Sequence, residues 1–154
     1  MDLSAAGFAR LVAALFGVTA AWNVGAVVSD IDSAELSRLI AAGVPIIDIR
    51  TSPEWQQTGV VPGSHLLTFF DERGRANPGA WLEKAGSIAR PGDPLIVICR
   101  TGNRTKAVSQ FLSDRAGYAK VYNVKEGIVA WTKEGRATEP VSQSRANCRA
   151  ADNC

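Results

Sequence analysis

One short segment of the chain combines the residue types that sulfur chemistry requires, Cys99-Arg100-Thr101-Gly102-Asn103-Arg104. It lies between a strongly apolar run, Leu95 to Ile98, and an amphipathic helical pattern that stops at Gly117. Ligands of parallel α/β sheets bind at the carboxyl ends of the strands, where this segment would lie. Its backbone N–H groups, the following helix N-terminus and two guanidinium groups would bind an anion and favour a cysteine thiolate.

We therefore predict that Cys99 is a nucleophile facing an anionic substrate. The substrate-binding candidates from the same segment are Arg100, Thr101, Gly102, Asn103 and Arg104. The alternative is an inert buried cysteine, which is how most free cysteines are used. The only histidine, His65, is not expected to be catalytic, because an ionised cysteine needs no proton acceptor. The three cysteines do not complete a zinc shell, so we expect neither a metal nor another cofactor.

Asp48 and Arg50 flank the end of a second apolar run, Ile46-Ile47-Asp48-Ile49. Buried charges are normally paired, which favours a structural ion pair for Asp48. For Arg50 two roles remain open, structural support and anion binding, and it is retained among the substrate-binding candidates. Glu54 is expected to order the turn that follows rather than to act as an acid.

The elements needed to position these residues are predicted by the rest of the sequence. A helix begins at Asp32-Ser33-Ala34-Glu35, which resembles a capping pair, and ends before Gly43 and Pro45. Asn77-Pro78 opens another helix, since proline suits the first helical position. Further segments are the strand Val121 to Val124 and the helix Ile128 to Lys133. Strands that alternate with helices predict an α/β domain with a mostly parallel sheet, over residues 27–137.

Residues 1–26 predict a secretory signal peptide. Residues 11–22 carry no charge, and Val18-Thr19-Ala20 and Val24-Gly25-Ala26 are both acceptable cleavage sites, of which the second is preferred. We expect a periplasmic or otherwise exported protein, without stable membrane insertion after cleavage. The alternatives are a membrane anchor over residues 5–26 and an ordinary buried helix. A span needs about 20 apolar residues, and this stretch reaches that length only by including Gly and Asn.

Residues 138–154 have no apolar periodicity and predict a flexible C-terminal tail, which contains Cys148 and Cys154. In an oxidising compartment two nearby thiols readily form a disulfide, although closing so small a loop stabilises little. The alternative is a dithiol that reaches Cys99 and exchanges sulfur with it.

The overall composition describes one globular domain. The chain has 154 residues, of which 46% are hydrophobic, which is enough apolar material for a core. Seventeen Lys and Arg oppose 15 Asp and Glu, and the resulting net charge of +2 argues against a nucleic-acid partner.

Four groups of residues together resemble a single-domain rhodanese. They are Ile46-Ile47-Asp48-Ile49-Arg50 with Glu54, the run Gly59-Val60-Val61-Pro62-Gly63-Ser64, the segment Cys99 to Arg104, and Gly127 with Trp131. The resemblance implies a five-stranded parallel sheet with helices on both faces. It also places Asp48 and Arg50 as structural support near the loop.

The same resemblance implies a sulfurtransferase. The Cys99 thiolate would take the outer sulfur of a small anionic donor such as thiosulfate and release sulfite. The resulting persulfide, held by the backbone amides of residues 100–104, would pass its sulfur to cyanide or a thiol, a protein thiol among them. Thr101 replaces a lysine that tandem-domain rhodaneses often have, which weakens the expectation of a thiosulfate preference.

Loop length separates sulfur transfer from phosphate chemistry in this superfold. Sulfurtransferases generally resemble Cys-x4-Arg, whereas the related phosphatases and arsenate reductases use Cys-x5-Arg. Cys99 and Arg104 give the shorter loop, so phosphatase or arsenate reductase activity is not favoured. The main alternative is a non-catalytic module that binds an anion or persulfide and carries sulfur to a partner.

Overall fold

The apolar runs of the sequence form the strands of a five-stranded parallel sheet. The structure, a computed structural model, describes residues 26–144. Its elements in chain order are β1 Val27–Ile31, α1 Ser33–Ala41, β2 Ile46–Asp48, α2 Ser52–Thr58, β3 His65–Leu66, α3 Pro78–Ile88, β4 Pro94–Ile98, α4 Asn103–Ala116, β5 Lys120–Val124 and α5 Gly127–Lys133.

The sheet has the strand order β1-β5-β4-β2-β3, which places β4 at its centre. Residues 95–98 of β4 are fully buried, as expected for a parallel strand covered on both faces. Alternate residues contribute to two separate apolar cores. Leu95 and Val97 pack with α3 and α4, whereas Ile96 and Ile98 pack with α1 and α5. The predicted five-stranded parallel sheet with helices on both faces is therefore confirmed.

The helix ends follow from local side-chain chemistry. The Asp32 carboxylate accepts a hydrogen bond from the Glu35 amide at 2.8 Å and caps α1, as predicted. Asn77 caps α3 in the same way, through the Ala80 amide. Gly117 ends α4 with a φ of 72°, a left-handed conformation that glycine adopts without steric cost.

Three elements, β1, α2 and β3, were not identified from residue patterns. The helix α2 has only seven residues, and the strand β3 has two residues, which is too short for any alternation. Trp55 is the buried residue of α2.

The chain after residue 137, predicted as a flexible tail, continues to pack on the domain as far as Ser144. Val60 and Glu139 exchange backbone hydrogen bonds of 3.0 and 2.9 Å in an antiparallel bridge. The Ser144 hydroxyl is buried and donates to the Ser64 carbonyl at 2.9 Å. These contacts are backbone and polar, so hydrophobic periodicity gave no signal of them.

Some predictions lie outside the described residues. The signal peptide or anchor falls almost entirely on residues 1–25, and Cys148 and Cys154 fall on residues 145–154. Within residues 26–144, none of the helices has the length and apolar character needed to span a membrane.

Candidate active site

Cys99 directly follows β4, at the carboxyl end of the central strand. Three residues later Gly102 forms the N-cap of α4, so the intervening loop connects a strand end to a helix N-terminus, as predicted. Cys99 is fully buried and is a free cysteine. Arg100, Thr101 and Asn103 are exposed around it.

Two groups, one from the loop and one from the first turn of α4, lie beside the Cys99 sulfur. The Gly102 amide donates to Sγ at 3.2 Å, and the Thr105 hydroxyl lies 3.4 Å from it. Thr105 is fully buried, and its Oγ1 also donates to the Gly102 carbonyl at 3.0 Å. The hydroxyl therefore connects the sulfur to the turn that carries the amide donor.

Backbone hydrogen bonds fix the loop to the junction of β5 and α5. The amides of Ile128 and Val129 donate to the carbonyls of Cys99 and Arg100 at 2.9 and 3.2 Å. Gly102 has a φ of 87°, and a Cβ there would lie 1.9 Å from the Lys125 carbonyl oxygen.

Gly127 completes this junction. A Cβ at Gly127 would lie 2.4 Å from the Cys99 carbonyl oxygen. Glycine at positions 102 and 127 thus lets two backbone segments approach closely enough to fix the cysteine.

Arg104 points to Glu54 in α2, fifty residues away in the sequence. Its two terminal nitrogens donate to the two carboxylate oxygens at 2.9 and 2.6 Å, a bidentate ion pair. The Arg104 hydrogen bond lowers the pKa of Glu54 to about 2. Glu54 in turn raises the pKa of Arg104 above its usual value, and the negative charge of the nearby Cys99 adds to that rise.

Glu54 also accepts hydrogen bonds from the amide and hydroxyl of Thr51, each at 3.1 Å, at the start of α2. The carboxylate is therefore ionised and occupied by Arg104 and Thr51 together.

Arg50 lies elsewhere than the substrate-binding prediction placed it. Arg50 and Asp48 form a buried ion pair, with Nη2 and Oδ2 2.7 Å apart. Nη2 also donates to the Gly59 carbonyl, whereas Nε donates to Asp48 and Nη1 to the Thr58 hydroxyl. With 1% exposure and its donors occupied, Arg50 joins β2 to α2 and does not line the groove beside the loop.

An open groove of about 680 Å³ lies over the loop. Its lining contains three carboxylates and two guanidinium groups. The lining residues are Thr51, Glu54, Asp71, Glu72, Arg100, Thr101, Arg104 and Val129. The sequence predicted the two cations but not the acidic groups, because Asp71 and Glu72 come from the segment after β3. Within residues 26–144 no cluster of three metal-ligating side chains occurs.

Comparison with known proteins agrees with this arrangement. The family model described as "Rhodanese-like domain" matches residues 32–134, which include the whole loop and α2. The chain belongs to this family. The rhodanese-like domain is similar to thiosulfate sulfurtransferase 18 of Arabidopsis thaliana, with 30% identity over 110 residues, 68% of this chain and 78% of the relative.

Two further relatives are matched by this chain over nearly their whole length. A sulfurtransferase of Allochromatium vinosum is 30% identical over 115 residues, which are 70% of this chain and 92% of the relative. The crystal structure of a rhodanese-related protein from Thermoplasma volcanium superposes with a TM-score of 0.55 and 27% identity, over 72% of this chain and 97% of that one. The two relatives at 30% identity, from Arabidopsis thaliana and Allochromatium vinosum, carry sulfurtransferase names.

Sequence reasoning about this rhodanese-like domain missed Thr105 and the Glu54–Arg104 pair. Thr105 directly follows the predicted loop, and its contact with the Cys99 sulfur could be recognised only from the geometry of the first turn of α4. The partner of Arg104 comes from α2, a helix that the residue patterns did not reveal. Two signals were available, the position of Glu54 in the motif and the Thr51-x-x-Glu54 capping box that opens α2.

Proposed function

We propose that the rhodanese-like domain is a sulfurtransferase in which Cys99 carries sulfane sulfur from a donor such as thiosulfate to cyanide or a thiol. The observation that supports this most directly is the Gly102 amide aimed at Cys99 Sγ at 3.2 Å. A backbone N–H that points at sulfur stabilises negative charge on that atom, whether thiolate or persulfide. Sulfurtransferase relatives at 30% identity give the same reaction class.

The reaction needs two displacements at sulfur. In the first, the Cys99 thiolate attacks the outer sulfur of thiosulfate, the S–S bond of the donor breaks and sulfite leaves with the electron pair. In the second, cyanide or a thiolate attacks the outer sulfur of the persulfide. The Cys99–sulfur bond then breaks, and its electron pair returns to Cys99 as a thiolate.

The donor would be held by the loop and by Arg100. Within residues 26–144 the backbone N–H groups of Arg100 and Thr101 have no protein acceptor, so they are free to bind an anion. Arg104 contributes less positive charge than the sequence implied, because Glu54 neutralises it. Cys99 is fully buried, so a donor reaches Sγ only when the side chains that cover it move.

The decisive experiment combines turnover with intact mass. We expect the wild-type protein to form thiocyanate from thiosulfate and cyanide, and to gain the mass of one sulfur atom with thiosulfate alone. Cys99→Ser should lose both, whereas the double variant Cys148→Ser and Cys154→Ser should keep both. Equal inactivity of wild type and Cys99→Ser, with binding of sulfite retained, would instead identify a non-catalytic carrier. Hydrolysis of an aryl phosphate would contradict the proposed reaction.

We also propose that the protein is exported and that residues 1–26 are removed. The support is the uncharged run at residues 11–22 followed by the cleavage site at Ala26. Intact mass of the protein recovered from the exported fraction tests this directly. The expected species begins at Val27 and is lighter by two hydrogen atoms, because the oxidising compartment joins Cys148 and Cys154 in a disulfide. A full-length chain in the membrane fraction would overturn the proposed cleavage.

A further inference from the structure

Three of the five charged side chains that line the groove beside Cys99 are already paired with other residues of the protein. The Arg104 guanidinium is paired with Glu54 in two hydrogen bonds. Asp71 is paired with Arg75, whose Nε donates to its carboxylate at 2.8 Å. These two carboxylates and Arg104 therefore have partners from the protein itself.

Two charged groups of the groove remain without such partners. Glu72 and Arg100 are both exposed, and neither forms a salt bridge or a side-chain hydrogen bond with any of residues 26–144. One is an anion and the other a cation, and both line the space into which the Cys99 loop faces. Val129 adds an apolar contact to the same lining and is 46% exposed.

We propose that the sulfur acceptor at this site is a low-molecular-weight thiol that carries both a carboxylate and an ammonium group, bound by Arg100 and Glu72 respectively. This inference rests on the sulfurtransferase function proposed above. Arg100 would pair with the carboxylate of the acceptor, Glu72 with its ammonium group, and Val129 would contact its carbon atoms. A thiol with a carboxylate alone would place negative charge beside Glu72, which disfavours it.

The transfer step is balanced without a further reagent. The acceptor thiol gives its proton to water, and its thiolate attacks the outer sulfur of the Cys99 persulfide. A bond forms between the two sulfurs, and the bond between Cys99 Sγ and the outer sulfur breaks. The electron pair remains on Cys99 Sγ, and the acceptor leaves as a persulfide.

The test compares three acceptors that differ in one charge at a time: L-cysteine, N-acetyl-L-cysteine without the ammonium, and L-cysteine methyl ester without the carboxylate. Cys99 is loaded with hydropolysulfide in the chain with Cys148→Ser and Cys154→Ser. The loss of one sulfur from the intact protein mass gives the discharge rate, which is divided by the thiolate fraction of each acceptor.

We expect Glu72→Gln to reduce the preference for L-cysteine over the N-acetyl derivative by about three-fold, the size of an exposed ion pair. Arg100→Gln should reduce the preference over the methyl ester by a similar factor. Each variant should leave the other preference unchanged. Because intrinsic thiol reactivity is the same for every variant, it cancels in these ratios.

Glu83→Gln and Arg115→Gln are the matched controls, since both residues are exposed and lie on α3 and α4 away from the groove lining. They should keep the wild-type ratios. If Glu72→Gln and Arg100→Gln also keep them while Cys99 loads and discharges, the acceptor assignment is wrong and the sulfurtransferase proposal stands. If Cys99 takes up no sulfur from hydropolysulfide or thiosulfate, both are wrong.

Discussion

Thr105 places one hydroxyl between the two parts of the site that must remain fixed, the Cys99 sulfur and the Gly102 carbonyl. Thr105→Val keeps the shape of the side chain but removes this hydroxyl from a fully buried position. A thiolate only accepts hydrogen bonds, so with Cys99 ionised the one Thr105 hydroxyl proton is donated to Sγ instead of to the Gly102 carbonyl. We expect kcat/KM for sulfur transfer to fall about ten-fold in the valine variant, the size of one hydrogen bond to a charged group.

Thr105→Ser is the control, because it restores the hydroxyl and removes only a methyl group. It should keep most of the activity, and circular dichroism should show that both variants are folded. Equal activity of the valine and serine variants would mean that the hydroxyl only fills space.

Two features exclude a side chain at Gly102, its left-handed φ and the close approach of the Lys125 backbone. Gly102→Ala would place its Cβ 1.9 Å from the Lys125 carbonyl oxygen, so the loop or the β5–α5 junction must shift. Gly117→Ala is the matched control, since Gly117 also has a positive φ, 72°, but no atom within 4 Å of its Cβ position.

We expect Gly117→Ala to cost about 1–2 kcal/mol of unfolding free energy, the cost of the left-handed conformation, and to leave sulfur transfer unchanged. Gly102→Ala should cost more and should also abolish persulfide formation at Cys99. Urea unfolding and intact mass measure the two effects. If Gly102→Ala forms persulfide as fast as Gly117→Ala, the close approach to Lys125 does not matter for the site.

Local signals identified most elements, but α2 was missed although it opens with one, the Thr51–Glu54 capping box. Capping by Asp32 and Asn77 revealed α1 and α3, and the apolar run at residues 95–98 revealed β4. The seven-residue α2 has no such run, although it supplies Glu54 for Arg104. The loop of the site was therefore predicted, whereas the helix whose Glu54 carboxylate neutralises Arg104 was missed.

The segment of residues 138–144 is the clearest case of structure without a periodic signal. Two truncated chains test its contribution, one ending at Ser144 and one ending at Ala137. The shorter chain loses the Val60–Glu139 bridge and the Ser144 hydrogen bond to Ser64. We expect it to be less stable by about 3 kcal/mol, since it loses two backbone bonds of the bridge and the Ser144 bond, and each net hydrogen bond contributes about 1 kcal/mol.

Thermal or urea unfolding of the two chains gives the difference. The chain ending at Ser144 is the control for removing residues 145–154. Equal stability of the two truncated chains would show that residues 138–144 only rest on the surface.

For the whole molecule, net charge was an incomplete guide. A formal charge of +2 argued against a nucleic-acid partner, but it did not show that the cations near Cys99 are opposed by carboxylates from other parts of the chain. The arrangement of charge depends on which distant segments the sheet brings together, and a composition contains no such information.

The dependence of stability on pH tests the placement of charge across the whole molecule. Burial lowers the pKa of His65 below its usual value of 6.5. As pH falls through 6.5, the unfolded chain binds a proton that the folded protein does not, so stability falls, and the loss ends below the folded pKa. In a second, more acidic window, stability falls between pH 4.5 and about 2 as Glu54 becomes protonated.

Because His65 is the only histidine, the loss of stability that begins near pH 6.5 belongs to one residue. We expect His65→Gln to flatten the curve of unfolding free energy against pH near pH 6.5. Glu54→Gln should reduce only the loss of stability in the acidic window. Other carboxylates of lowered pKa contribute to that acidic loss, namely Asp32, Asp71 and Glu134. Urea unfolding from pH 8 to pH 3 gives both slopes. At pH 8 the histidine is neutral in both states, so the difference between His65→Gln and wild type there measures packing alone. A slope near pH 6.5 that persists in His65→Gln would contradict the burial of His65 as its cause.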